Sequence, residues 1–543
     1  MESGQKQFSK QKEIFAQIMK QFPFLGMMLH TRTSCQKFAE VMEDHVDFSS
    51  CLSDALYIYG VAGLDNQKLL HWALRDTKRS IILIDDHLES FDQWMDQPYT
   101  KELLESKQLL LIFFDEGVWK SHLWEFLKKK NISQNHFFSR YTDLEKLKKF
   151  EKLKQTISSL HAFSNAYLGE SVGSPFILKN YLKNYSHLKR SIDLFKMKNA
   201  YQNIPAIIVG AGPSLTEDLE HIKKWKNKGL IFAGGSAIAA LSDAGISPHY
   251  AVAVDPSKEE YNRLKKNKAI SSHFLYSLRV FPDVFSFFSG DLGYFSLEHP
   301  LENVLLQDLG HEAFSFMSKS SPEGMSVSIS SLYLAAFFGC NPIILSGMDL
   351  SYVDQKRYAR GILDDGENNK IASKKAGGQI VQKNDLTTNV FFEMEARAIT
   401  YFIEQFPHID VYNTSMKGLV IQKTEKVPLQ ELLKKHSAVK IDLDLMIHLE
   451  HQKAKQKVDS WDAYFKKIEK SFQHTINLIQ SLKTEENHSK KALLKILIQE
   501  ELIFIPVVKL MMQYFEERDL SFEMCMRAIE PILIDVYQSI FEK

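Results

Sequence analysis

At 543 residues the chain is too long for one ordinary core, and length alone predicts about three or four domains. With 44% hydrophobic and 25% charged residues it has the composition of a globular protein, and 67 basic residues balance 67 acidic ones. The totals therefore give no reason to expect nucleic acid or an anionic membrane as partner.

Local basic runs such as Lys128-Lys129-Lys130, Lys223-Lys224 and Lys434-Lys435 read as solvated helix faces. Cys35, Cys51, Cys340 and Cys525 lie far apart without metal-ligand spacing, as reduced thiols of a cytosolic protein would. The first residues lack an apolar signal core, and no run reaches the ~18 apolar residues of a membrane span. The longest uncharged candidate, Met325 to Met348, carries serines and is broken by Gly339, Asn341 and Pro342. A cytoplasmic location is expected.

In chain order, amphipathic helices are expected to about residue 50. Strands Ala55–Tyr59, Ser80–Ile84 and Leu109–Phe114 then alternate with helical stretches such as Leu69–Leu74, which predicts parallel βαβ units. The first strand runs into Gly60-Val61-Ala62-Gly63 and the second into Asp85-Asp86, so a small nucleotide site is conceivable there; an unoccupied structural switch point is the preferred reading. Residues 142–200 read as a helical linker. A second sheet follows, with strands at Ala206–Val209, Leu230–Ala233, Tyr250–Val254, His273–Tyr276, Asn303–Leu306 and Ile343–Leu345. From about residue 430 apolar and charged residues interleave at helical spacing. The expected fold class is α/β: two Rossmann-like doubly wound domains, 1–141 and 201–430, followed by a helical domain, 431–543.

The most informative segment is Ala206-Ile207-Ile208-Val209-Gly210-Ala211-Gly212-Pro213-Ser214-Leu215, a buried strand running through a glycine turn into a helix. The glycines allow a tight turn, Pro213 suits the first helical turn, and a helix N-terminus offers free amides to a phosphate. It is neither a dinucleotide fingerprint, because a third glycine and an acidic end to the next strand are missing, nor a Walker A loop, because the Lys-Ser/Thr pair is missing. Further small or acidic clusters follow predicted strands: Gly234-Gly235-Ser236, Asp255-Pro256-Ser257 and Ser346-Gly347-Met348-Asp349. Another, Pro322 to Ser328, opens the helix before the last strand and includes Gly324 and Ser326. Ligands of open α/β sheets bind beyond the carboxyl ends of strands, where these clusters lie.

These pieces, with Gly245 to Pro248, Gly339 to Tyr352, and Tyr412-Asn413-Thr414 with Gly418, resemble the motility-associated factor (Maf) flagellin glycosyltransferases. Their core is shared with a 6-hydroxymethylpterin diphosphokinase. The centre is also similar to bacterial sialyltransferases. The resemblance implies that Gly210, Ala211, Gly212, Pro213, Ser214, Gly235 and Ser236 hold a nucleotide, that the helix start at Gly324 and Ser326 contacts phosphate or ribose, and that Tyr352 and Tyr358 stabilise a leaving phosphate. Ordinary loop packing is the competing account of the two tyrosines. The sialyltransferase corner has Asn where this chain has Ala211, and the histidine base expected after the tyrosines is missing, so Asp255, Asp349 and Asp354 become the carboxylates to test.

Asp255 and Asp349 also suit Mg²⁺ against a diphosphate, or local capping alone. Cations at Lys356, Arg357 and Arg360 suit a carboxylated sugar or phosphate, with ordinary solvated loop charge an equal contender, and the polar segment Leu363–Asp385 has the composition of a mobile lid. The resemblance implies a glycosyltransferase moving a sialic-acid-like nonulosonic sugar from a CMP-activated donor to Ser or Thr of flagellin or another secreted or surface protein, with no cofactor required. A Mg²⁺-dependent diphosphokinase and a non-catalytic protein-binding relative are the alternatives.

Overall fold

The computed structural model describes residues 2–542 apart from 32–50, 115–117, 128–131, 133–134, 173, 266–270, 299–301, 303–313, 317–325, 360–361, 363–379, 384–385, 436–441, 456–460, 510 and 513–519. The strand expected at Asn303–Leu306, Cys35, Gly324, Arg360 and most of the expected lid lie outside the described residues. The chain divides into two compact units, Met1–Gly169 and Glu170–Lys543.

In the first unit, strands β1 (Ala55–Tyr59), β2 (Ser80–Asp85), β3 (Leu109–Phe113) and β4 (Asn135–Ser139) form a parallel sheet in the order β3-β2-β1-β4. The three apolar runs bury both faces: Leu56 and Ile58 join one core cluster, Tyr57 and Tyr59 the other. The order reverses between β1 and β4, where a ligand crevice would be sought. Polar groups of the chain fill it. Asp85 Oδ2 accepts from Val61 N at 2.9 Å, Asp85 Oδ1 accepts from Tyr141 Oη at 2.8 Å, and the buried Arg140 donates to the carbonyls of Gly60 and Ala62. The glycine turn here is thus bound by its own sheet.

The second unit is built on β5 (Ser191–Asp193), β6 (Ala206–Val209), β7 (Leu230–Gly234), β8 (Tyr250–Ala253), β9 (His273–Tyr276), β10 (Leu292–Tyr294) and β11 (Ile343–Ser346). It continues with β12 (Ile380–Lys383), β13 (Leu386–Asn389), β14 (Val411–Asn413) and β15 (Glu425–Lys426). Nine of these make one parallel sheet, ordered β15-β14-β11-β6-β7-β8-β9-β10-β5, while β12 and β13 pair as a separate antiparallel hairpin. Central β6 places Ala206 opposite Ile343 on one side and Leu230 on the other. The stretch expected to be a helical linker contributes more than helix: after helices Leu144–Val172 and Ser174–Asn184, its last part supplies edge strand β5.

Helices cover both faces of this sheet. Val327–Phe337, Val390–Gln405 and Leu443–Ala454 share a core cluster with Ile208, Phe232 and Val252. On the opposite face Ile207, Ile231 and Ala251 share a cluster with Tyr464, Phe472, Ile479, Val508, Ile529 and Leu533 from the C-terminal helices. No helix among the described residues is long and apolar enough to cross a membrane.

Candidate functional site

Chain order in the large sheet reverses at β6, with β7 on one side and β11 on the other. The crevice between the carboxyl ends of β6 and β11 is closed by main chain. Gly210 N donates to Ser346 O at 2.7 Å, Gly212 N donates to Gly347 O at 2.8 Å, and Ala211 O accepts from Ala359 N at 2.9 Å. Asp349, 1% exposed, places Oδ2 at 2.9 Å from both the amide and the hydroxyl of Ser214, and so caps the helix Leu215–Trp225 from across the sheet. A Cβ on Gly212 would lie 2.2 Å from Asp349 Oδ2 and 2.7 Å from Gly347 O. Close approach of two loops therefore requires the glycine. The amides of Gly212 and Ser214, which the sequence suggests are aimed at a phosphate, are spent inside the protein.

An open cleft of about 290 Å³ lies one strand over, beyond the ends of β6, β7 and β8. Gly210 and Ala211 form one wall and Gly235, Ser236 and Asp255 the next strand ends. Ser326 and Ser328 begin helix Val327–Phe337, and Tyr358, Glu260, Arg263 and Glu395 complete the lining. Of the expected site residues this cleft unites Gly210, Ala211, Gly235, Ser236, Asp255, Ser326 and Tyr358. Gly212, Pro213, Ser214, Asp349 and Tyr352 are not on its lining. Tyr352 is buried, and its hydroxyl accepts from Asn389 Nδ2 at 3.3 Å.

Two helix starts face the cleft in different states. Ser326 Oγ accepts from Ile329 N at 3.2 Å and donates to Glu395 Oε1 at 2.8 Å, joining a cap to a carboxylate. Helix Ser236–Asp243 begins after Gly235, which has φ 52° and ψ −132°, a conformation open essentially to glycine, and among the described residues no side chain caps it. Its first-turn donors and positive end are the cleft's feature best suited to an anion.

The opposing corner is acidic. Glu260 Oε2 accepts from Arg263 Nε at 3.1 Å and Nη2 at 2.8 Å, and Asp255 Oδ2 lies 3.8 Å from Arg263 Nη2. Burial raises the pKa of Glu260, against the pull of the Arg263 guanidinium; burial also raises that of Glu395, against its serine hydrogen bonds.

Sequence reasoning missed Glu260, Arg263 and Glu395. The first two lie on helix Lys258–Leu264 and the third on Val390–Gln405. None follows a strand, so the rule that found the other residues could not reach them. Among the described residues one His and carboxylate group could hold a metal ion, His273, Asp291 and His451. It is off the cleft lining, and three of its four ring nitrogens are engaged: His451 bonds Tyr250 Oη and Asp291 Oδ2, each at 2.9 Å, and His273 Nδ1 accepts from Asp291 N at 3.0 Å. This is a polar bridge between a helix and the sheet.

Residues 179–355 match the family model described as 6-hydroxymethylpterin diphosphokinase MptE-like. A Maf glycosyltransferase from Magnetospirillum magneticum AMB-1 is similar in structure over 98% of this chain and 95% of its own, at 13% identity and a TM-score of 0.47. No curated protein matches the sequence. The strands that floor the cleft, β6, β7 and β8, lie within the segment that matches the MptE-like model.

Proposed function

We propose that the chain is a glycosyltransferase that binds a nucleotide-activated sugar in the cleft beyond β6, β7 and β8. The donor is a CMP-activated nonulosonic acid and the acceptor a Ser or Thr hydroxyl of flagellin or another secreted or surface protein. The observation that carries this reading is the pairing, in one cleft, of an uncapped helix start at Gly235-Ser236 with the carboxylates of Asp255, Glu260 and Glu395 and the hydroxyls of Ser326, Ser328 and Tyr358. The order of motifs along the chain, which resembles that of Maf proteins, supplies the substrate class.

In this reaction the acceptor oxygen forms a bond to the anomeric carbon as the carbon–oxygen bond to phosphate breaks, with inversion, and CMP leaves. The helix start and the Tyr358 hydroxyl meet the charge developing on the phosphate, without a metal. The acceptor proton passes to Glu395, whose burial raises its pKa, or to Asp255, which is the more open at 40% exposure. Asp349, expected as a catalytic candidate, serves here as the cap that fixes the Gly210–Ser214 bend.

The test is release of CMP from CMP-activated nonulosonate in the presence of Ser/Thr acceptor protein. Turnover is expected to fall about 10²–10⁴-fold in Glu395→Gln or Asp255→Asn, whichever carries the base. Hydrolysis and transfer both absent, with CMP bound, would favour the non-catalytic reading.

A second reading rests on the match of residues 179–355 to the MptE-like model. It makes the chain a Mg²⁺-dependent diphosphokinase with Asp255 at the metal. It predicts ATP binding that requires Mg²⁺ and is lost in Asp255→Asn.

A further inference from the structure

The sequence lacks the acidic residue that, in a dinucleotide fold, ends the second strand and accepts hydrogen bonds from ribose: β7 runs into Gly234-Gly235-Ser236. The fold brings a carboxylate to that place from another element. Glu260, on helix Lys258–Leu264, lines the cleft beside Gly235, and a Cβ built on Gly235 would sit 3.5 Å from Glu260 Oε1. The Glu260 side chain is 3% exposed. Both bonds from Arg263 go to Oε2, and Oε1 has no hydrogen-bond partner among the described residues.

A buried acceptor without a donor is costly, by about 1–3 kcal/mol and more for a charged group, so the orphan oxygen calls for an explanation. Local structure does not provide one. Ser257-Lys258-Glu259-Glu260 is a capping-box sequence, in which the glutamate would turn back to the Ser257 amide. Ser257 Oγ does accept from Glu260 N at 3.4 Å, but the Ser257 amide donates to Asp255 Oδ1 at 2.8 Å. Asp255 has taken over the reciprocal half of the box, and Glu260 is turned into the cleft.

The chemistry of the missing donor is constrained. A phosphate at this corner would meet two carboxylates, Glu260 and Asp255. A metal ion would meet the guanidinium of Arg263, already within 2.8 Å of Glu260 and 3.8 Å of Asp255. A neutral hydroxyl donor meets neither penalty. It also fits a ligand whose phosphate is drawn to the neighbouring helix start at Ser236.

We propose that Glu260 Oε1 accepts a hydrogen bond from a ribose hydroxyl of the nucleotide held in this cleft, and so makes the site selective for ribonucleotides. The proposal rests on the nucleotide-sugar reading above and adds to it the residue that reads the sugar of the nucleotide.

The experiment is calorimetric titration of wild type, Glu260→Gln and Glu260→Ala with CMP, 2′-deoxy-CMP and 3′-deoxy-CMP. Wild type is expected to bind at least one deoxy form about tenfold or more weakly than CMP, the size of one hydrogen bond to a charged group. That preference should shrink to within a few-fold in Glu260→Ala. Near-UV circular dichroism establishes that each variant is folded; if the alanine variant is not, the near-isosteric glutamine variant carries the test, with a reduced preference expected. The Glu260 assignment is overturned if CMP binds wild type with no preference over either deoxy form, or if the preference persists in the folded variants. If no cytidine nucleotide binds wild type at all, the donor reading falls as well, a result distinct from the loss of selectivity alone.

Discussion

The side chain that most shapes the site is Asp349, although it does not line the cleft. By accepting from the Ser214 amide and hydroxyl it holds the β6 bend against the β11 loop. Asp349→Ala should cost about 1–3 kcal/mol, because the Ser214 amide and hydroxyl lose their shared acceptor in a part-buried setting; urea unfolding reads this as a lower midpoint at unchanged slope. Gly212→Ala is expected to be at least as damaging, since the new methyl would overlap Asp349 Oδ2, and a variant melting like wild type would contradict this packing. Ser326→Ala should cost about 1 kcal/mol for the lost cap and remove one donor from Glu395, raising the Glu395 pKa further. A pH–rate profile shifted upward checks the second effect.

Among the elements, the helix Leu443–Ala454 is tied to the sheet by the chain Tyr201–Tyr250–His451–Asp291, with His273 beside it. Burial holds the pKa of His273 and of His249 down to about 4, against an ordinary 6.5. Their folded forms therefore stay neutral while the unfolded chain takes up protons. The stability they contribute is complete above about pH 6.5 and is lost as pH falls towards 4. Imidazole signals of His249 and His273 that do not titrate between pH 8 and 5.5 would agree with this; midpoints near 6.5 would contradict it.

The same scale shows what the sequence made legible. Uninterrupted apolar runs such as Ile81 to Ile84 and Ile207 to Val209 are buried on both faces and stand out, whereas β4, β5 and β10 at or near sheet edges are short or mixed in polarity and were missed. Strand-end residues of the cleft were reachable because their position follows from the fold. Glu260 and Glu395 were not, because they are brought in by helices whose docking no local pattern encodes. The glycine bend was found for its shape, but the neighbour that requires the shape, the Gly347–Asp349 loop, comes from 135 residues away.

At the scale of the molecule, the C-terminal helices supply much of one core face of the large sheet. Deleting residues 443–543 should expose Ile207, Ile231 and Ala251 and give an insoluble or loosely packed product lacking near-UV dichroism. A soluble, cooperatively melting fragment would show that the sheet completes its core without them.

The nucleotide reading of the β6–β8 cleft is open to one direct measurement, calorimetric titration of the intact wild-type chain with CMP and, separately, with ATP and Mg²⁺. Saturable binding of CMP at one site, abolished or weakened at least tenfold when Gly235→Val blocks the helix start, is the expected result. Heats for ATP that require Mg²⁺, with none for CMP, would contradict it.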